Sequence, residues 1–89
     1  MKVKLELFGA SRDLSKKNYL IFNFKEKITI KNLRKEIIKY VSQNFKDNKE
    51  FKKIIEMSTF CSADDKIIND NYKITKDQKI GIIPPIGGG

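Results

Sequence analysis

The residues in this chain best suited to chemistry are the last six, Pro84-Pro85-Ile86-Gly87-Gly88-Gly89. Glycine has no Cβ and adopts almost any backbone conformation, so a glycine run is thin, mobile and poor at burying surface. Three such residues, extended at roughly 3.3–3.6 Å each, reach about 10 Å, and two prolines stiffen the root of the run. A tail of that shape suits a terminal carboxylate, that of Gly89, inserted into a narrow channel of a partner. A frayed end or a cloning scar would leave the same glycines.

Other reactive groups are few. Cys61 is the only cysteine and there is no histidine, so an internal disulfide, a cysteine or zinc cluster, a histidine base and a Ser-His-Asp arrangement are all excluded within the chain. Cys61 lies in an apolar alternating segment, where a buried structural thiol is expected. The net charge is +8, from 19 Lys plus Arg against 11 Asp plus Glu, and only Arg12 and Arg34 are arginines. Readers of phosphates and bases favour arginine forks interleaved with aromatics, and this chain shows neither. Its lysines are spread through every segment, as a general compositional bias would spread them. Nucleic acid is therefore not the expected partner.

The elements that must position the tail follow from periodicity. The 89 residues are enough for one small domain, and 39% hydrophobic with 34% charged residues fits a soluble globular fold. No stretch approaches the roughly 20 apolar residues of a membrane span, and the N-terminus lacks a signal-peptide core, so a cytoplasmic protein is expected. Residues 2–8 alternate strictly, with Val3, Leu5 and Leu7 on one side of a strand. Residues 9–17 read as a turn. Residues 19–24 place Leu20, Phe22 and Phe24 on one face and complete an antiparallel hairpin.

The period then changes. Thr29 caps a helix from Ile30, with Leu33, Ile37, Tyr40 or Val41, and Phe45 recurring at spacings of three and four. Lys31, Arg34, Lys35 and Lys39 fall off that stripe and should be solvated. Asp47 and Glu50 resemble a capping box for a short second helix over residues 48–55 that buries Phe51, Ile54 and Ile55. Residues 58–63 read as a third strand, Ile67 and Ile68 as a short strand or loop, and Asn69-Asp70-Asn71 as a turn. Tyr72 and Ile74 precede a polar turn. Residues 79–83 form a last strand with almost no polar face, hence a central one. Hairpin, helix, small helix and further strands give an α+β layer. That order together with the glycine tail points to the β-grasp, or ubiquitin-like, arrangement: a mixed sheet of four to five strands with one main helix and a short second one. Residues 1–86 make the domain and residues 87–89 its mobile tail.

Residues 76–89, Lys-Asp-Gln-Lys-Ile-Gly-Ile-Ile-Pro-Pro-Ile-Gly-Gly-Gly, resemble the C-terminus of the small, sulfur-carrying subunit of molybdopterin synthase, the MoaD family. That family ends in a turn with Asp, an apolar strand, two prolines, an aliphatic residue, a small residue and Gly-Gly. Phe8-Gly9-Ala10-Ser11-Arg12-Asp13-Leu14 is similar to the aromatic, small, Arg and acidic residues after the family's first strand, and Thr29-Ile30-Lys31-Asn32-Leu33 to its helix start. The chain departs from the pattern at Gly87, where serine is more usual, and at Phe60-Cys61-Ser62-Ala63, where the family carries an Ala-Val-Asn-like strand.

The resemblance implies a specific chemistry. An adenylating, ubiquitin-activating-like enzyme uses ATP on the Gly89 carboxylate, and sulfur from a sulfur-transfer protein replaces AMP to leave a thiocarboxylate. Gly87 and Gly88 thread the channel. The molybdopterin synthase large subunit receives the tail, and sulfur passes to a cyclic pterin precursor. The chain itself binds no cofactor or metal, and its partners hold the catalytic acids and bases. Pro84, Pro85 and Ile86 would set the exit direction and touch the partner, although the prolines could simply end the strand. Phe8 and Arg12 would be interface residues, although Phe8 could be core and Arg12 could cap a carbonyl. Ubiquitin-related and archaeal modifiers, which serve tRNA thiolation or protein conjugation, and ThiS-like carriers share the fold and the Gly-Gly end, while Pro-Pro favours the molybdopterin branch. A basic nucleic-acid-binding module is the remaining class. An autonomous enzyme is not expected, because no phosphate loop accompanies the missing histidine.

Overall fold

The computed structural model describes residues 1–85. The strictly alternating start forms β1 (Lys2–Leu7), which buries Val3, Leu5 and Leu7. A 3-10 helix, Gly9–Leu14, follows where a plain turn is expected. It winds because Ser11 is buried and bonds back to Phe8, through its amide at 3.1 Å and its hydroxyl at 2.6 Å, while Leu14 drops into the core. β2 (Tyr19–Asn23) returns antiparallel to β1, with Val3 opposite Phe22 and Leu5 opposite Leu20. After β3 (Ile28–Thr29) the main helix α1 runs over Ile30–Asn44.

The Thr29 cap is present. Its hydroxyl accepts the Asn32 amide at 3.2 Å and the Asn32 side chain accepts the Thr29 amide at 3.2 Å, so each satisfies a backbone donor that the helix leaves over. Ile30, Leu33, Ile37 and Val41 are the buried stripe of α1. Tyr40 and Phe45 flank it half-buried, within an aromatic chain running from Phe24 through Phe22, Tyr40 and Phe45 to Phe51.

The second helix, α2 (Lys49–Met57), is capped by Asn48, whose side chain accepts the amides of Glu50 and Phe51. Asp47 does not cap it. Lys46 and Asp47 both take positive φ to turn the chain out of α1, and Asp47 instead accepts from Ser42 and pairs with Lys52. Ile55 is the residue that α2 buries fully; Phe51 and Ile54 are half-buried. Arg34 also departs from expectation. Its guanidinium lies over the Phe60 ring, bonds the carbonyls of Ile55, Glu56 and Ser58 at 2.8–2.9 Å, and reaches Asp70 at 2.8 Å. A residue expected in solvent is the clasp between α1, the end of α2 and a distant loop.

β4 (Thr59–Cys61), β5 (Ile67–Ile68), β6 (Lys73–Ile74) and β7 (Gln78–Ile83) are the remaining elements of the described residues. The main sheet has five strands in the order β2-β1-β7-β4-β5, and β3 with β6 makes a separate two-stranded ribbon. Among the described residues only β1 and β7 pair in parallel, so the sheet is mixed. α1 and α2 cover one face, and the arrangement is the β-grasp. β7 is central, as its apolar run predicts, with Ile80 and Ile82 fully buried under the helices.

Candidate functional site

The site is the end of β7 and the sheet face that no helix covers. Ile80 and Ile82 point to the core, so Lys79, Gly81 and Ile83 point the other way. Register places Glu6 of β1 and Cys61 of β4 beside Gly81, with Thr59 beside Ile83. A Cβ built on Gly81 would lie 2.7 Å from the Cys61 sulfur and 3.0 Å from Cε2 of Phe8. Glycine is therefore what lets the Phe8 ring and the Cys61 thiol lie on the central strand. The sequence motif marks Gly81 only as part of an apolar strand, and its packing role depends on neighbours distant in sequence.

Phe8 rests on this platform at 38% exposure, outside the core. Ile83 at the strand end is 36% exposed and Ile67 on β5 is 68% exposed, so the face carries a broken apolar strip. Arg12 projects from the 3-10 helix, and among the described residues its guanidinium caps no carbonyl. It lines a shallow cavity of about 290 Å³ with Phe8, Lys4, Glu6, Asn18 and Tyr19. The structure thus brings Phe8 and Arg12 together. Around them, Lys79 pairs with Glu6 at 3.2 Å and the Lys4 ammonium lies 4.5 Å from the centre of the Tyr19 ring. Tyr19, Ile21 and Ile83 belong to this face and are not singled out by sequence. Parity along the strands is the signal that finds them, once Leu5, Leu20 and Ile82 are known to face inward.

Pro84 and Pro85 leave the sheet at the end of β7. Pro84 is buried and Pro85 exposed. Gly9, at φ +53°, places its α-carbon side against the Pro84 ring, where a Cβ would come within 3.8 Å of Cδ. The positive φ favours glycine at this turn, and the turn gives the first proline its seat. Ile86, Gly87, Gly88 and Gly89 lie outside the described residues.

Cys61 is 8% exposed and its thiol is pushed up in pKa, chiefly by burial, with the Asp65 and Glu6 carboxylates adding to the rise. A hydrogen bond with the Gly81 backbone and the Lys79 charge oppose the shift. The thiol stays protonated at neutral pH, as a structural cysteine should. Among the described residues no three His, Cys, Asp or Glu side chains converge as metal ligands, and no helix is long and apolar enough to cross a membrane.

No protein-family profile matches the chain, and no curated protein sequence matches it. Solved structures do. A Pyrococcus furiosus protein described as molybdopterin converting factor, subunit 1, superposes with a TM-score of 0.69 at 19% identity, over 96% of this chain and 98% of that one. SAMP1 from Haloferax volcanii superposes with a TM-score of 0.70 at 8% identity, over the full length of both chains. At these identities the likeness shows the ubiquitin-like β-grasp fold.

Proposed function

We propose that this chain is a sulfur carrier of the molybdopterin synthase small-subunit kind, with the Gly89 carboxylate as its working group. One observation carries the reading. The residues leading to the tail leave the sheet from its central strand, beside an exposed Phe8, Arg12 and Ile83, so a partner that grips this face has the chain end delivered to it. The fold likeness to a molybdopterin converting factor subunit supports the same reading.

The chemistry is acyl activation followed by sulfur transfer. An adenylating enzyme joins the Gly89 carboxylate to AMP from ATP with release of pyrophosphate, and sulfide, supplied as such or released from a persulfide by a thiol reductant, displaces the AMP. The product is a thiocarboxylate, ionised at neutral pH and a better nucleophile than the carboxylate it replaces. Gly87 and Gly88 carry no side chain to block a channel. Seating the sulfur against a pterin precursor in the large subunit replaces a bimolecular encounter with a positioned one, a proximity effect. Phe8, Arg12, Pro85 and Ile86 make the partner contact in this reading, while the buried Pro84 aims the exit. Dependence on ATP fits the cytoplasm.

The test is intact-mass spectrometry after incubation with an activating enzyme, ATP and a sulfur source. The mass should rise by the difference between one sulfur and one oxygen, and Gly88→Val should abolish the gain. An unchanged mass under conditions that load a known carrier overturns the proposal. Copurification separates the recipients: a molybdopterin synthase large subunit supports this reading, and lysine conjugates on other proteins support the modifier alternative.

A further inference from the structure

β2 forms one edge of the main sheet, away from the tail. In the β1–β2 ladder the Leu7 amide bonds Asn18 at 2.9 Å and the Phe24 amide bonds Met1 at 2.8 Å. Antiparallel pairs alternate, so in the register of this ladder Leu20 and Phe22 also bond inward, while Tyr19, Ile21 and Asn23 turn their N–H and C=O groups outward. Among the described residues β2 pairs with β1 alone. The result is a row of unpaired donors and acceptors of the kind that templates an added strand.

The usual protections are missing from this edge. Tyr19-Leu20-Ile21-Phe22-Asn23 contains no proline and no charge. Ile21 is 38% exposed on the uncovered face. On the other face Leu20 and Phe22 are only half-buried, with Phe22 edge-on to Tyr40 of α1 at 6.2 Å. An added strand would therefore find apolar neighbours on both sides. The charges sit at the ends: Lys16 and Lys17 precede the strand, Lys25, Glu26 and Lys27 follow it, and all five are exposed and outside the ion pairs of the described residues, four lysines against one glutamate.

These lysines select the occupant. If a second copy paired antiparallel about Ile21, Lys17 of one copy would face Lys25 of the other while Lys16 faced Glu26, so the like-charge and opposite-charge contacts cancel and a second copy gains no net complementarity. A strand carrying carboxylates at its ends would meet the same lysines favourably. We propose that the β2 edge docks an extended peptide from a partner protein, with an apolar centre and acidic flanks, by adding it to the sheet as a sixth strand. This site is independent of the tail and could be occupied while the tail is engaged, because β1 separates it from β7.

The probe is a blocked synthetic peptide with a Val-Ile-Val-Ile core between glutamate pairs, added to the full chain. Amide exchange should slow at Tyr19, Ile21 and Asn23. Binding should weaken with salt and fall about tenfold when Lys17→Glu and Lys25→Glu are combined. Ile21→Pro removes an outward donor without touching the bonds to β1, so circular dichroism should stay native while binding is lost. A chain lacking residues 87–89 should bind as well as the whole one, which separates this proposal from the tail chemistry. Protection at the Phe8 face instead, binding indifferent to Ile21→Pro or to salt, or dimerisation of the unmodified chain through this edge overturns it.

Discussion

Gly81→Ala is the substitution whose effect can be worked out most fully from the structure. The new methyl would sit 2.7 Å from the Cys61 sulfur and 3.0 Å from the Phe8 ring. Phe8 is 38% exposed and can swing away, but Cys61 is 8% exposed, so its sulfur has little room to turn aside. Overpacking of this kind costs about 1–3 kcal/mol. Alanine also restricts the unfolded chain, which offsets about 0.4–1 kcal/mol where the backbone angles are ordinary. The expected net loss is about 1–2 kcal/mol, or roughly 4–8 °C in Tm per kcal/mol for a domain of this size. Cys61→Ala removes the obstructing atom. In a urea-unfolding double-mutant cycle the two changes should therefore be less costly together than their sum, with a coupling of about 1 kcal/mol. Strict additivity would refute the argument that the sulfur, rather than the exposed ring, sets the requirement for glycine.

The remaining predictions concern the clasp, the thiol and the tail. Arg34→Ala should cost about 3–4 kcal/mol in chemical denaturation, because it strips a charged donor from the carbonyls of Ile55, Glu56 and Ser58; Arg34→Lys should recover less than half of that, since one ammonium cannot reproduce the fork. The raised Cys61 pKa means the fold favours the neutral thiol. Its contribution to stability should be complete below the ordinary thiol pKa and decline as pH rises through the folded value, and alkylation at neutral pH should be slow against a free cysteine. Gly88→Val should leave Tm unchanged within error while abolishing thiocarboxylate formation in the mass assay.

Local signals made the scaffold readable. Thr29 and Asn32 announce the start of α1, and the stripe from Ile30 to Val41 is the buried one. The short apolar run over residues 80–83 pointed to a central strand, and β7 is one, although Lys79 and Ile83 face the side that no helix covers. The misplaced features depend on distant partners. Asp47 and Asn48 are equivalent as sequence caps, and the positive φ that the interhelical turn imposes on Asp47 decides between them. Arg34 reads as a surface residue until α2 ends above it. The ribbon of β3 and β6 has two residues on each side, too few for any alternation to register. At the site, the motif drew attention to Phe8 and Arg12, but the glycine seat between Phe8 and Cys61 required the strand register to appear.

The insertion of β7 between the first strand and β4 has a consequence for incomplete chains. A polypeptide halted anywhere before residue 78 lacks the middle of its sheet and is left with two raw margins facing a gap. Such a remnant has nothing to close around and should go to proteases instead of persisting as a decoy. A chain truncated upstream of the last strand should therefore be cleared by proteolysis and not accumulate half-folded.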